Sequence, residues 1–162
     1  AIAANHLVAC PITVIEPVEE RRSALSDLPN VVTFHPGDEL LRQTGPFESI
    51  VDAAGTTASQ SLASEIAAAG ATISMIAVQT AHTFGFTPID VYDRNLTIRS
   101  GRAPVRSLLD TILPLVVDGS VTDPSDRIFT HRGVPLEDAP AAYRSFADRS
   151  GGVIKAWFDP TR

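Results

Sequence analysis

The stretch ITVIEPVEERR, residues 12–22, poses the question on which the reading of this chain turns. Ile12–Ile15 is a run of β-branched residues, the pattern of a buried strand. It stops on Glu16 and Pro17, and a charged segment with helical spacing, Pro17–Leu25, follows at once. A carboxylate at the carboxyl end of such a strand has two readings. It marks a polar exit, or it accepts hydrogen bonds from the vicinal hydroxyls of a sugar bound beyond the strand ends. The rest of the chain has to decide between them.

Strand-like and helix-like runs alternate onward. Val31–Phe34 predicts a strand and GDELLRQTG a short helix or turn. Ser49–Ala53 predicts a strand ending in small residues. Ala58–Ala68 is rich in helix formers, with Gly70 as its expected stop. Thr72–Val78 predicts a continuous apolar strand buried on both faces. Asn95–Arg99 predicts a shorter alternating strand. Val105–Val117 predicts an apolar-faced helix with a kink at Pro114. Leu136–Ala147 predicts an amphipathic helix and Val153–Phe158 a last strand. Strand alternating with helix implies a doubly wound α/β fold with a mostly parallel sheet. Ligands of such sheets sit beyond the carboxyl ends of the strands. Three of those ends have residues that permit close approach: Glu16-Pro17, Ala54-Gly55-Thr56 and Val78-Gln79-Thr80.

The 162 residues, 44% of them hydrophobic, suffice for a single domain over 1–162 with a core of its own. A net charge of −6 argues against a nucleic-acid partner. No apolar run reaches the ~18 residues that span a bilayer, and AIAANHLVAC does not have the form of a signal peptide. Cys10 stands alone, so neither an intrachain disulfide nor a multi-cysteine zinc site is expected. These features fit a cytoplasmic protein. His6, His35, His82 and His131 form no metal-like pair, and no Ser-His-Asp set with an elbow motif is present. Asp52, in a buried strand, is expected to be a structural hydrogen-bonder.

An ordered set of motifs then resembles one family. PLEDAPAAYRSF, NLTIRSG, IVDAAG, AAAGATISMIAV and VIEPVEERRSAL resemble, in order and at family spacing, the coenzyme-binding half of the zinc-dependent medium-chain alcohol dehydrogenases. The resemblance covers essentially all of the chain. It implies a Rossmann-like sheet with strand order 3-2-1-4-5-6. The first strand, the glycine-rich turn and the zinc-bearing catalytic domain of that family have no counterpart in the sequence, so the sheet is expected to be incomplete at its N-terminus. AIAANHLVA reads as the last turns of the helix after that turn. The family's central strand being absent, its neighbours are expected to re-pair, the second strand beside the fourth or with a borrowed strand.

The resemblance assigns roles residue by residue. Glu16 falls where the family's ribose-binding acid lies, which implies NAD rather than NADP. Arg21 falls near the same ribose, while Arg22 is expected at the surface. Gly55 and Thr56 would pass under the adenosine side. Val78, Ser100 and Gly101 would lie by the nicotinamide. No residue is expected to be catalytic or to bind metal, zinc being confined to the absent domain. The implied function is the coenzyme-binding portion of an enzyme passing hydride between NAD and a small alcohol or aldehyde, inactive by itself. The alternative is a non-catalytic binding or oligomerisation module. A homo-oligomer is expected through the Asn95–Arg99 edge strand.

Overall fold

The computed structural model describes residues 4, 10–79, 81–119, 121 and 125–161. The expected helix end over residues 1–9, Ala4 apart, lies outside them, as do His6 and Thr80. In chain order the elements are β1 (Ile12–Ile15), α1 (Glu19–Ser23), β2 (Val31–Phe34), α2 (Glu39–Thr44), β3 (Phe47–Asp52), α3 (Thr57–Ile66) and β4 (Ala67–Met75). There follow α4 (Pro88–Asp93), β5 (Thr97–Ser100), α5 (Val105–Val117), α6 (Ser125–Ile128), β6 (Phe129–Pro135), α7 (Ala139–Ala147) and β7 (Lys155–Asp159). The fold is α/β, and every strand pairing among the described residues is parallel. The sheets are β1-β2, β3-β4-β5 and β6-β7. Among the described residues no ladder joins the second strand (β1) to the fourth (β3), the re-pairing expected above.

The chain forms two compact units, Ala1–His35 with Leu109–Arg162, and Pro36–Leu108. In the first unit β1 and β2 run in register from Ile12↔Val31 to Ile15↔Phe34. Helix α1 is shorter than the expected Pro17–Leu25. It carries Glu19 and Glu20 in its first turn and Arg21 and Arg22 in its last, matching the helix dipole at both ends. Asp27 accepts two hydrogen bonds from the Arg127 guanidinium, at 2.6 and 2.7 Å, so the segment after α1 is tied to α6. Strand β6 was not expected from FTHRGVP, whose Gly133 and Pro135 break the β pattern. The Leu136–Ala147 prediction resolves into a 3-10 turn, Leu136–Asp138, and then α7. The last strand starts at Lys155, two residues later than expected, and Tyr143 stacks on its Phe158 at 5.9 Å.

The second unit holds the better-formed core. Ala71, Ile73 and Met75 of β4 are buried, with Ala63 of α3, Ala67 and Leu96 beside them. Ile50, Phe86, Val91 and Ile98 pack against this cluster. Strand β4 departs from the sequence reading at both ends. Helix α3 ends at Ile66 and the strand begins at Ala67, so Gly70 does not stop the helix. It lies inside β4 at φ +78°, where the β3–β4 register shifts between Phe47↔Ala67 and Ser49↔Thr72. An alanine run has no β-branched residue to announce a strand, which is why helix propensity misleads here. At its other end β4 stops at Met75, and only one face is deeply buried. Thr72 and Ser74 are half-buried and Ile76 is exposed.

Strand β5 edges the three-stranded sheet, Leu96 and Ile98 facing the core and Thr97 and Arg99 exposed. Helix α5 runs through Pro114 with no residue buried, leaving Leu109, Leu113 and Val116 exposed. Helix α4 was not expected, although TPID carries its start signal. Thr87 and Asp90 form a capping box, with Pro88 in the first turn. The backbone N–H and the hydroxyl of Thr87, both donating at 2.7 Å, hold the Asp90 carboxyl below the ordinary aspartate pKa. A depressed carboxyl contributes stability above its unfolded pKa and loses it as pH falls through the folded value. The Asp90 carboxyl, followed by NMR on acidification, is expected to titrate below aspartate in the unfolded chain. Asp90→Asn should remove that part of the acid dependence, and an Asp90 midpoint at or above the unfolded value would contradict the cap.

Candidate functional site

Glu16 follows β1 directly, and its N–H continues the β1–β2 ladder to Phe34 O at 3.0 Å. Its carboxylate Oε1 accepts from the Val18 N–H at 2.9 Å, closing a tight turn that carries the chain past Pro17 into α1. Arg22 is half-buried rather than at the surface, and its Nη1 donates to the Glu16 carbonyl at 2.6 Å. The guanidinium tied to the strand end thus belongs to Arg22. Arg21, also half-buried, lines a cavity of about 10 Å³ with Val18, Glu20, Arg149 and Gly152–Ile154. That is room for about one water.

In the second unit, Asp52 ends β3, and its Oδ1 accepts from the N–H groups of Ala54 and Gly55 at 3.0 and 3.1 Å. This is the structural role expected of it. Its other oxygen is buried without a partner among the described residues. The turn delivers Gly55 at φ +69° against the chain leaving β4. A Cβ there would stand 2.8 Å from Ala77 Cβ and 3.0 Å from Val78 O. Only glycine fits, for conformation and for space. The structure therefore brings Gly55 and Val78 together. Val78 lies three residues beyond the end of β4 and is 85% exposed.

Thr56 is the N-cap of α3. Its Oγ1 accepts from the Ser59 N–H at 3.0 Å while its own N–H donates to Ser59 Oγ at 3.1 Å. Its hydroxyl is engaged in holding the helix start. Ser100 ends β5 opposite Met75 and is exposed. Gly101 follows it in open space, where a Cβ would meet nothing. Glu16 and Arg21 belong to the first unit, and Gly55, Thr56, Val78, Ser100 and Gly101 to the second.

Sequence reasoning missed the network behind Gly55. Gln60 of α3 is 1% exposed; its Oε1 accepts from the Gly85 N–H at 2.9 Å and its Nε2 donates to Gln79 Oε1 at 2.6 Å. Such a bond joins residues 19 to 25 positions apart and leaves no local signal. No group of three His, Cys, Asp or Glu side chains suited to a metal occurs among the described residues. None of the described helices is long and apolar enough to cross a membrane.

No protein-family model matches the chain. A probable zinc-binding alcohol dehydrogenase of Mycobacterium tuberculosis is 31% identical over 113 residues, 70% of this chain and 29% of that protein. An uncharacterised zinc-type alcohol dehydrogenase-like protein of Bacillus subtilis is 33% identical over 106 residues, 65% of this chain and 27% of that protein. The chain thus spans less than a third of the length of these relatives. Among solved structures, the alcohol dehydrogenase TADH of Thermus sp. ATN1 superposes with a TM-score of 0.78 at 27% identity, over 96% of this chain and 46% of that one. Two coenzyme complexes share the fold alone. One is a putative zinc-binding dehydrogenase of Sinorhizobium meliloti bound to NADP, with a TM-score of 0.66 at 17% identity, over 82% of this chain and 40% of that one. The other is a short chain alcohol dehydrogenase of Escherichia coli complexed with NADH, with a TM-score of 0.69 at 15% identity, over 90% of this chain and 43% of that one.

Two substitutions separate the local roles. Gly55→Ala forces both a left-handed alanine and a clash with Ala77, and should lower stability by ~1–3 kcal/mol. Thr56→Ala removes only the cap, with an expected loss of about 1 kcal/mol. Urea denaturation measures both, and an unchanged midpoint for Gly55→Ala would contradict the close approach.

Proposed function

Since this chain corresponds in sequence and fold to part of a zinc-type alcohol dehydrogenase, we propose that it forms the coenzyme-binding portion of such an enzyme. The observation that carries the reading is Gly55. Two neighbouring parallel strands, β3 and β4, end where a left-handed glycine lies flat against the Ala77–Val78 backbone. The absent side chain lets the two turns close on each other at the carboxyl ends of a parallel sheet, the end at which nucleotides of α/β proteins bind. The family relation gives the rest. Gly55 and Thr56 pass under the adenosine side, and Val78, Ser100 and Gly101 lie toward the nicotinamide. Glu16 and Arg21 take the adenosine ribose.

The coenzyme is NAD in this reading. A carboxylate at Glu16 accepts hydrogen bonds from a ribose diol and repels a 2′-phosphate. Its Oε1 is fixed by Val18, so the carboxylate has a set direction. The described residues offer no set of ligands for zinc. Bound coenzyme supplies the hydride chemistry. This chain's part is to bind and orient it, and by itself the chain is inactive on alcohols and aldehydes. Residues 1–162 act as one coenzyme-binding domain, in the cytoplasm.

The β5 edge supports association of two copies. Its outer row of N–H and C=O groups is unpaired among the described strands, and the same strand of a second copy satisfies it antiparallel across a two-fold axis. An oligomerising module without turnover is the second reading, and this edge favours it.

Isothermal titration of NAD and NADP separates these readings. The expected outcome is tighter binding of NAD, with the preference relaxed in Glu16→Ser. Discrimination unchanged in that variant would remove Glu16 as the ribose reader. Failure of the folded protein to bind either nucleotide would leave the oligomerising module. Sedimentation equilibrium at micromolar concentration should show a dimer or larger, and a monomer would contradict the edge pairing.

A further inference from the structure

The buried carboxamide of Gln60 stands at the centre of a directional chain of hydrogen bonds in the second unit. At one end the Gly85 N–H donates to Gln60 Oε1. That backbone donor fixes which way the amide points, so Nε2 faces Gln79 and donates to its Oε1. Gln79 in turn directs its Nε2 to the Ala77 carbonyl at 3.3 Å. The chain therefore starts on a backbone donor and ends on a backbone acceptor, and neither amide can turn over without breaking a bond. The Ala77 carbonyl it reaches belongs to the turn on which Gly55 lies, and Gln79 Nε2 is itself 3.3 Å from where a Gly55 Cβ would be.

The other end is equally constrained. Gly85 sits so close to α3 that a Cβ on it would fall 2.1 Å from the Thr57 carbonyl oxygen. The Ser61 hydroxyl donates to its carbonyl. Leucine at position 60 would fill the same buried space without a polar atom. The choice of glutamine is therefore explained by what it holds rather than by packing.

We propose that Gln60 is a positioning residue: its carboxamide fixes the Ala77–Val78 turn against Gly55 and so sets the backbone surface on which the coenzyme rests. The assignment rests on the coenzyme reading of Gly55 and Val78. Gln60 is buried and acts through Gln79. An unsatisfied or reversed amide here displaces the turn, and small displacements of positioning groups are felt strongly in binding.

Gln60→Glu tests this without emptying the site. The glutamate still accepts from Gly85, but now presents an acceptor to Gln79 Oε1. Gln79 must turn over to donate to it, which aims its oxygen at the Ala77 carbonyl. The expected result is displaced amide resonances at Ala77 and Val78 with Gly85 hydrogen-exchange protection retained. NAD binding should weaken roughly tenfold, the scale of one neutral hydrogen bond. Gln79→Leu, at a half-buried position, should weaken NAD comparably and leave Gly85 protected. Unmoved Ala77 and Val78 resonances, or NAD affinity unchanged in both variants, would overturn the proposal. If the unmodified folded protein binds no NAD, the coenzyme reading falls and the proposal with it. That outcome is distinct from binding that is present and indifferent to Gln60.

Discussion

The second unit depends on strand β4 being hydrogen-bonded on both sides. It runs parallel to β3 on one side and β5 on the other, the one strand among those described with two partners. Ala71, Ile73 and Met75, alternating on one face, are 0–1% exposed. Each large apolar side chain so buried contributes ~1.5–3 kcal/mol relative to exposure. That burial fixes the register, since a slip of one residue would send all three to the other face. The position of the strand ends follows. Asp52 and Met75 are register partners, and the turns after them, Ala54–Gly55 and Ala77–Gln79, meet because their strands are locked side by side.

Function is proposed for what lies beyond that lock. Asp52 uses one oxygen to gather the Ala54 and Gly55 N–H groups, and Thr56 closes the start of α3. Gln60 and Gln79 tie the opposing turn. The polar groups at these strand ends thus hold backbone in place, and what they present outward is backbone with an exposed Val78 beside it.

The parallel strands were legible because β-branched runs such as Ile12–Ile15 and Val31–Phe34 leave one local reading. Their boundaries there agree with the sequence to the residue. The passage Ala67–Ala71 was not legible. Its alanines favour helix, and only pairing with β3 and the Gly70 N–H bond to the Arg94 carbonyl make it strand. Helix α4 has its start signal in TPID, a capping box with a proline in the first turn, but only six residues follow the cap. The turn at Glu16 was visible as a strand end, but Arg22 was not, because its hydrogen bond to the Glu16 carbonyl depends on where α1 begins. Val78 was placed at a strand end that lies at Met75. The close approach of Gly55 explains why Val78 is still brought to the site.

The central claim is that nucleotide rests on the backbone around Gly55. The most direct measurement is the set of amide resonances that move when NAD is added to the isotope-labelled protein. Gly55, Ala77 and Val78 are expected to shift together and to saturate at one concentration. Shifts confined to β6, α7 and β7, or none at all in the folded protein, would contradict it.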